Sequence, residues 1–558
     1  MQRLFFWSPT ALCLASAAAF AATPPPVILI SIDTLRADHL SAYGYRDIKT
    51  PNIDAFANGG TVFANVSCQT PLTLPSHTSL FTSTYPFENG IQENAELVPP
   101  GAVTLAGVLK VHGYHTAAFI GGVFLERQMG LDQGFETYDS PFNFEAFSPL
   151  SGELFFGGVE SPFLVRDRRD GALVIPAAIR WLATHRNQPT FVFIHLFDLH
   201  TPYTNPGRKG VSRYDAQLLY VDGLIGKLTQ ALKQAGGWDQ SLTVLLSDHG
   251  EGLGDHGETA HGYFVYQSTL HVPLIVHWPA PSAPRPSAVQ QPGGLIDVAP
   301  TILDFLHIPA PAAFKGTTLL NPSSRPVYSE TMHTHDSFGW SPLRTIRLGA
   351  YKYIDAPRPE LYNLEKDPNE KNDILRADPS EARVLRGELA HLISRYPPPK
   401  PVPEPGVNPQ AQRLLASLGY LGQGPRSRRN GPEPDPKDRL PEYRLYEQSM
   451  DAINNNRPNE AVRLLQKVLA QDATNLLARR DLAGCYLDLH AYVKARAAFA
   501  LLTAAVPDDY SSQFGLGMAD KHLGLPGEAR QHLEAACKIA PHAAQCRREL
   551  DALRQGTN

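Results

Sequence analysis

The segment VILISID (residues 27–33) decides the fold class, because a near-continuous apolar run ends directly at an acidic residue. Two further segments, TFVFIHL (190–196) and LTVLL (242–246), are apolar over a similar length. Runs of this length without polar alternation are typical of strands that are covered on both faces, as in parallel sheets. Such runs alternate with helical patterns between about residues 27 and 395, so we predict an α/β fold whose mostly parallel sheet is sandwiched by helices.

Acidic and imidazole side chains follow all three runs, where each strand would end. They are Asp33 after the first run, Asp198 and His200 after the second, and Asp248 and His249 after the third. The carboxyl ends of strands form the ligand-binding edge of open α/β sheets, so these side chains are expected to converge. Further candidates lie on the loop after the third run: Glu251, His256, Glu258 and His261. Any one of them could be a helix cap or a turn residue, but their recurrence at three strand ends predicts a metal site.

The N-terminus has the layout of a cleaved signal peptide. Arg3 precedes an apolar and small-residue stretch that reaches Phe20, and small residues flank a cleavage position before Pro24. We therefore predict that residues 1–21 are a signal peptide and that the protein is exported to the periplasm or the extracellular space. An uncleaved membrane anchor is the alternative, which the interruption at Pro9 disfavours, so we expect no integral membrane span after cleavage.

The bulk composition restricts the partners. The chain has 558 residues, 43% of them hydrophobic, and a formal net charge of -5. This length predicts more than one domain, and the lack of a basic surplus argues against nucleic acid as a partner. Five cysteines, one of them in the signal segment, are too few for a disulfide framework and allow one bridge near the C-terminus.

A proline-rich linker over residues 397–440 divides the chain, with one short helical pattern at 411–421. We therefore predict one large domain over residues 24–396 and a second domain over residues 441–558. A linker of this composition favours independent folding, so deletion after Lys437 is expected to leave the chemistry of the first domain intact.

The second domain carries a repeat signature. Ala461, Ala495 and Ala529 recur at a spacing of 34 residues, each followed by an amphipathic run, and a closing helical pattern spans 545–554. This period is typical of the tetratricopeptide repeat, a helix pair that buries its apolar face only by stacking on its neighbours. We predict an all-α array that binds a protein partner.

Six ordered blocks between about residues 25 and 396 resemble those of the sulfatase family, within the alkaline-phosphatase superfamily. They read VILISIDTLRADHLSAYGY, TPNIDAFANGGTVFAN, SDHGEGLGDHGETAHGYFVYQ, HVPLIVHWP, GGLIDVAPTILDFL and ELYNLEKDPNE. The resemblance implies a sulfatase-like α/β sandwich with a smaller C-terminal subdomain. It also implies a hydrolase of phosphoric or sulfuric esters that uses one or two divalent ions.

The nucleophile block departs from the common sulfatase pattern. Common sulfatases carry Cys-x-Pro-Ser-Arg, whose cysteine is oxidised to formylglycine, whereas this chain reads TLPSH at residues 73–77. Thr73 takes the place of the cysteine, and Cys68 cannot substitute because the proline that the motif needs two residues later is absent. The superfamily also contains phosphodiesterases and phosphoethanolamine transferases with a metal-bound threonine nucleophile, and a divalent ion is one means of deprotonating a hydroxyl. The resemblance therefore implies Thr73 as the catalytic nucleophile.

Similarity to the threonine enzymes also implies the metal ligands. The first ion would be held by Asp33, Thr73, Asp248 and His249, and the second by Asp198, His200 and His261, of which the two histidines could also contact substrate. Formylglycine enzymes usually have Asn at the position of His249 and prefer calcium, so the imidazole favours zinc or manganese. Thr34 replaces the second aspartate of the sulfatase pair and Gly262 replaces a frequent lysine, which weakens a formylglycine-type mechanism further.

Three functions follow from these observations. The first is an exported metal-dependent hydrolase of phosphate-type esters, in which Thr73 forms a covalent ester that water resolves; a transferase would use an acceptor hydroxyl instead of water. The second is a sulfatase that works without formylglycine. The third is a binding protein in which a degenerate front domain holds a ligand and the array recruits a partner, and the intact ligand set argues against it.

Overall fold

A computed structural model describes residues 24–94, 96–142, 168–207, 209–281, 285–321, 324–398, 431–539 and 544–555. The predicted signal peptide and the helical pattern at 411–421 lie outside these ranges. Every helix within them is too short or too polar to cross a lipid bilayer.

The strands are β1 (Val27–Ile32), β2 (Thr61–Ser67), β3 (His115–Phe119), β4 (Thr137–Asp139), β5 (Thr190–Leu196), β6 (Leu242–Leu246), β7 (His271–His277), β8 (Ala288–Val289), β9 (Gly293–Gly294), β10 (Val327–Thr331), β11 (Leu343–Leu348), β12 (Tyr351–Asp355) and β13 (Glu360–Asn363). The helices of the α/β domain are α1 (Pro51–Asn58), α2 (Thr73–Thr82), α3 (Pro86–Asn89), α4 (Leu105–Val111), α5 (Gly171–Thr184), α6 (Arg213–Gln234), α7 (Gln267–Leu270), α8 (Val298–Phe305), α9 (His333–Phe338) and α10 (Pro379–Arg395). The array comprises α11 (Leu440–Asn454), α12 (Pro458–Gln471), α13 (Leu476–Asp488), α14 (Tyr492–Ala505), α15 (Tyr510–His522), α16 (Pro526–Ile539) and α17 (Ala544–Arg554).

The central sheet has the strand order β4-β3-β5-β1-β6-β7-β2-β8, with β9 beside β2. β1 pairs in parallel with both β5 and β6, and β3 and β4 extend this parallel half. β7 is antiparallel to both of its neighbours, β6 and β2. Because β1, β5 and β6 are parallel neighbours, their carboxyl ends meet at one edge of the sheet, as the three apolar runs predicted.

The side chains of β1 alternate between two apolar cores. Val27 and Leu29 face a core that contains residues of α2, α4 and α8, whereas Ile28, Ile30 and Ile32 face a core with residues of α1, α5 and α6. All six residues of β1 are at most 1% exposed. The strand is therefore covered on both faces, which explains why it has no polar alternation and confirms the predicted α/β fold.

A smaller antiparallel sheet, β10-β11-β12-β13, follows the central sheet. Leu385 and Leu389 of α10 pack with Tyr328, Ile346 and Tyr353 of this sheet in a separate apolar core. This unit corresponds to the C-terminal subdomain that the resemblance implied.

The last seven helices form the predicted array. α11 packs on α12, α13 on α14, and α15 on α16, and α17 closes the stack against α16. Ala461, Ala495 and Ala529 are fully buried at equivalent places, so the 34-residue period reflects positions where a methyl group lies between packed helices. A disulfide joins Cys537 to Cys546 and links α16 to α17, in the region where the sequence allowed one bridge.

The array also shares a core with the α/β domain. Tyr443 and Tyr446 of α11 belong to the same apolar cluster as Tyr263 and Phe338 of the α/β domain. The expectation of independent folding is therefore revised, because separating the two units would expose these aromatic rings to water.

Candidate active site

Thr73 is the first residue of α2, directly after the extended residue Leu72. All ten residues of this helix are buried. Leu74 N donates to Asn94 Oδ1 at 2.9 Å, and Ser76 Oγ donates to the carbonyl oxygen of Asp248 at 2.7 Å. The start of α2 is thus held against the end of β6, and its dipole favours negative charge beside Thr73.

His77, at the position of the sulfatase arginine, is locked within the same helix. Its Nδ1 donates to Thr73 O at 2.7 Å, and its Nε2 accepts from Ser31 Oγ at 2.9 Å. Burial lowers the pKa of His77 well below its usual value. The ring is therefore neutral and supports the first turn of α2, whereas an arginine would bring a positive charge.

The Thr73 hydroxyl lies between a carboxylate and an imidazole. Its Oγ1 is 3.4 Å from Asp33 Oδ2 and 3.4 Å from His249 Nε2. Asp33, Asp248 and His249 each place a ligand atom within 4.8 Å of the others, and all three are completely buried. The four residues predicted for the first ion thus lie together, because β1 and β6 are adjacent and α2 begins above their ends.

These residues fit a divalent metal ion. Asp33 Oδ1 and Asp248 Oδ2 have no hydrogen-bond partner in the described part of the chain. Burial raises the pKa of both carboxyl groups, and the neighbouring charge of Asp33 raises that of Asp248 further. Burial lowers the pKa of His249 to about 3, and its Nδ1 donates to Gly250 O at 2.9 Å, so the lone pair is on Nε2. A cation would offset the cost of burying the two carboxylates, and mixed nitrogen and oxygen donors suit zinc or manganese.

Two further imidazoles border this cluster. The ring centroid of His261 is 4.4 Å from that of His249 and 5.3 Å from that of His200. His261 Nδ1 lies 3.0 Å from Glu251 Oε1, and His200 Nδ1 donates to Thr201 O at 2.6 Å. Burial lowers the pKa of His261 to about 4 and that of His200 well below its usual value, so both rings are neutral near pH 7.

Asp198, a predicted ligand of the second ion, is placed differently. Both of its carboxylate oxygens accept from Gly171 N, at 3.0 and 3.1 Å, so that it stabilises the start of α5. Within the described residues, Asp198, His200 and His261 do not form a group whose ligand atoms lie within 4.8 Å of one another. The structure therefore assembles the first predicted ligand set and not the second, because helix α5 begins beside the end of β5 and engages the carboxylate.

The other loop candidates have structural contacts. Glu258 Oε1 accepts from Tyr263 N at 2.8 Å, and His256 stacks on Tyr266 with ring centroids 3.6 Å apart. Of the loop candidates Glu251, His256 and Glu258, the described contacts join only Glu251 to a predicted site residue, His261. Cys68 follows β2, outside α2, and its Sγ donates to Thr269 O at 3.5 Å.

His195 is a site residue that the sequence analysis missed. It is fully buried within β5, and its Nε2 lies 3.4 Å from Asp33 Oδ2. Together with His77 and Asp248 it forms a second group of ligand atoms within 4.8 Å of one another. Burial lowers its pKa to about 3, so it is a neutral neighbour of Asp33 and Asp248. A signal was present in the sequence, because an imidazole inside the run TFVFIHL is unusual for a buried strand.

Asn94 and Thr34 complete the surroundings of the site. Asn94 Nδ2 is buried without a hydrogen-bond partner among the described residues, next to the start of α2. Thr34, directly after the ligand Asp33, has a φ of 56°, a strained conformation for a β-branched residue. Its carbonyl oxygen accepts from Tyr214 OH at 2.8 Å, which helps to hold this conformation. Neither feature has a sequence motif that would have revealed it.

A hydroxyl beside buried side chains that could hold a metal ion, at the carboxyl edge of parallel strands, is an arrangement suited to ester hydrolysis. The chain matches the family described as Sulfatase over residues 25–308, and N-sulphoglucosamine sulphohydrolase, C-terminal, over residues 254–395. Residues 452–516 match the tetratricopeptide repeat. The chain therefore belongs to the sulfatase family and carries a tetratricopeptide array, as the sequence analysis predicted.

Named relatives agree with this assignment. N-acetylgalactosamine-6-O-sulfatase of Bacteroides thetaiotaomicron is 24% identical over 488 residues, which cover 66% of this chain and 93% of the relative. Delta 4,5-hexuronate-2-O-sulfatase of the same organism is 23% identical over 443 residues, covering 68% and 90%. The crystal structure of the phosphonate monoester hydrolase of Agrobacterium radiobacter is similar in fold, with a TM-score of 0.53, 23% identity, and coverage of 66% of this chain and 95% of that chain. The predicted fold and the prediction of an ester hydrolase are confirmed.

Proposed function

We propose that this protein is a metal-dependent hydrolase of phosphate-type esters with Thr73 as its nucleophile. The observation that carries the proposal is the position of Thr73 Oγ1, 3.4 Å from both Asp33 Oδ2 and His249 Nε2 at the first turn of α2. A threonine hydroxyl is a poor nucleophile unless its surroundings lower its pKa. This hydroxyl stands among buried ligand atoms that fit a cation.

Zinc or manganese is the cofactor that suits these donors. Asp33, Asp248, His249 and Thr73 would hold the ion. When bound, it supplies Lewis-acid chemistry, lowering the pKa of the Thr73 hydroxyl and offsetting the negative charge of the ester.

The chain itself accounts for the covalent steps. The proton of Thr73 Oγ1 passes to water, and Thr73 Oγ1 forms a bond to phosphorus as the bond from phosphorus to the leaving oxygen breaks; the leaving oxygen takes up a proton from water. Water then hydrolyses the ester on Thr73, which releases the product and restores the hydroxyl. The amides at the start of α2 stabilise negative charge on the transferred group.

His261 and Glu251 are placed to assist this transfer. Burial raises the pKa of Glu251 to about 8 and lowers that of His261 to about 4, so both side chains are neutral near pH 7. The 3.0 Å contact between Glu251 Oε1 and His261 Nδ1 holds the imidazole beside His249, where the ring borders the proposed reaction centre. Held in this way, His261 is placed to stabilise charge that develops on the substrate in the transition state.

Hydrolysis of sulfate esters is the second candidate. The two named relatives act on sulfate groups according to their names, which favours this alternative. Threonine in place of the cysteine that yields formylglycine favours phosphate-type esters instead, because the nucleophile is then a simple alcohol.

The experiment is a substrate panel with the purified full-length protein and added zinc or manganese. Aryl phosphate, aryl phosphodiester, aryl phosphonate and aryl sulfate are compared by kcat/KM, and the Thr73 peptide is examined for a phosphoryl adduct by mass spectrometry. We expect the highest kcat/KM on a phosphate-type ester, with the adduct on Thr73. A preference for the sulfate ester would select the second candidate, and inactivity on the whole panel would refute both.

Export is proposed on two observations. Residues 1–21 have the pattern of a cleaved signal peptide, and the Cys537–Cys546 disulfide is of a kind that persists in oxidising compartments. N-terminal sequencing of protein produced with its own leader should find a start near residue 22. A start at Met1 would contradict cleavage.

The array is proposed to bind a protein segment, because stacked helix pairs present an extended surface. Val493 of α14 is 71% exposed and offers a site for a photo-crosslinker in the full-length protein. We expect a specific protein adduct from this position and none from Val384 of α10, which is also exposed. Identical adducts from both positions would contradict binding by the array.

A further inference from the structure

The loop that carries His261 folds back on itself as a hairpin. Gly252 N donates to Ala260 O at 2.6 Å, and Gly254 N donates to Glu258 O at 2.8 Å. Glu251 and His261 face each other at the base of this hairpin, 3.0 Å apart. A shift of its outer part, residues 253–259, would therefore change the position of the His261 ring.

The outer part of the hairpin rests on the first helix of the array. Thr259 Oγ1 donates to Glu447 Oε1 at 2.5 Å, and Tyr443 OH donates to the same oxygen at 2.5 Å. A Cβ atom added at Gly257 would lie 2.4 Å from Leu440 Cδ2, so the backbone of the hairpin touches α11 directly. Helix α11 thus packs against the outer side of the loop that carries His261.

Aromatic packing extends this contact to the residue two positions after His261. The rings of Tyr263 and Tyr443 have centroids 3.5 Å apart, and Tyr443 is 2% exposed. Phe338 of α9 lies 5.6 Å from Tyr263 and 5.4 Å from Tyr446 of the array. The segment from Gly257 to Tyr263, which contains His261, is therefore packed against α11.

A separate set of contacts holds α11 in place. Lys437 Nζ lies 3.1 Å from Glu360 Oε1, and Arg358 N donates to Asp435 Oδ2 at 2.9 Å. These residues join the segment before α11 to the smaller sheet. The helix is thus anchored independently of the loop that it supports.

We infer that Tyr443 and Glu447 are positioning residues for the hydrolase, acting through the hairpin to set His261 although they belong to the repeat array. The inference rests on the proposed function, because it assigns His261 a part in the reaction. It makes the array a structural component of the active site in addition to a surface for partners.

The test uses full-length Tyr443→Ala and Glu447→Ala, assayed on the best ester of the panel with saturating metal. We expect kcat to fall about tenfold or more with KM changed little, because His261 acts on charge that develops in the transition state. Glu447→Gln keeps an oxygen acceptor at the same place and should recover most of the activity.

Two variants on other faces of the array are matched controls. Glu460→Ala removes a carboxylate on α12 whose side chain is 41% exposed, and Tyr492→Ala removes a ring that stacks on His522 within the array. Both should retain the kcat of the wild type. Wild-type kcat in Tyr443→Ala and Glu447→Ala would overturn the inference, as would an equal loss in the controls or a failure of Glu447→Gln to recover activity.

A second measurement separates this inference from the proposed function. If the wild type is inactive on every ester, the proposed function fails, and hydrogen exchange still reports on the hairpin. Faster exchange at the amides of Gly252 and Gly254 in Glu447→Ala than in Glu460→Ala would show that the array stabilises the loop. Equal exchange in the two variants would refute it.

Discussion

At the residue scale, Thr73 has contacts that suit a reacting group more than a structural one. Its hydroxyl is 3.4 Å from each of its polar neighbours, longer than a usual hydrogen bond, so it contributes little to stability. It is completely buried and is the first residue of α2. The same atom lies between a carboxylate and an imidazole, which is the arrangement expected where an ion and a hydroxyl act together.

Replacing Thr73 tests the nucleophile. We expect Thr73→Ala to lower kcat by about a thousandfold or more, because the reacting hydroxyl is removed, while Asp33, Asp248 and His249 still bind metal. Thr73→Ser retains a hydroxyl and should keep measurable turnover. Steady-state kinetics and calorimetric metal titration give the two readouts, and an Ala variant within tenfold of the wild type would contradict the assignment.

Replacing Asp198 distinguishes a helix cap from a metal ligand. Asp198→Ala removes the acceptor for Gly171 N and should lower the free energy of unfolding by about 1 to 2 kcal/mol, with the number of bound ions unchanged. Asp198→Asn retains an acceptor and should lose less. Loss of one bound ion from the Ala variant, measured by metal analysis, would support the second ligand set predicted from the sequence.

At the element scale, helix ends decide which strand-end residues are available to a substrate. α2 begins near the ends of β1 and β6 and brings the Thr73 hydroxyl to Asp33 and His249. α5 begins beside β5 and engages Asp198 through a backbone amide. Two strand ends with the same kind of side chain therefore acquire different roles, according to which helix terminus arrives there.

The disulfide between α16 and α17 allows a test of how much a covalent link stabilises the C-terminal helix. Cys537→Ser removes the bond between α16 and α17, and we expect the free energy of unfolding to fall by about 2 to 3 kcal/mol, with faster exchange of amides in α17. Urea unfolding and hydrogen exchange measure both effects. A reductant should have the same effect on the wild type and none on the variant; a wild type insensitive to reductant would contradict a stabilising role.

At the scale of the whole molecule, a shared apolar core joins the α/β domain to the first helices of the array. Tyr443 and Tyr446 are at most 4% exposed, in contact with the α/β domain. Unfolding either part would expose this aromatic surface, so the two parts are expected to unfold together.

Metal binding should therefore stabilise the array as well as the hydrolase. At a free zinc or manganese concentration about 100 times the dissociation constant, binding adds about 2.7 kcal/mol to the free energy of unfolding. We expect a single thermal transition whose Tm rises with metal and falls with a chelator, followed by circular dichroism. Two transitions, of which only one responds to metal, would show that the domains unfold independently.

Part of the site could be predicted from apolar strand patterns, together with the rule that parallel strands end at the same edge of a sheet. Asp33, Asp248 and His249 follow apolar runs, and parallel strands bring their ends to one edge, so their convergence could be predicted. Thr73 needed the resemblance to known nucleophile blocks, because its contacts are with residues 40 and 176 positions away in the chain. His195 was missed because periodicity identifies a buried strand without indicating which buried side chain lies beside a ligand.

By itself, the sequence determined the α/β fold, the 34-residue helical repeat and the residue types at the sheet edge, because these follow from periodicity and from residues close together in the chain. Only the tertiary structure decided that Asp198 caps α5 and that Tyr443 and Glu447 lie against the loop of His261. The physical reason is that an apolar or acidic pattern shows which side chains must be buried or must bind a donor or a cation. Which residue each of these side chains contacts depends on the packing of elements that are far apart in the sequence.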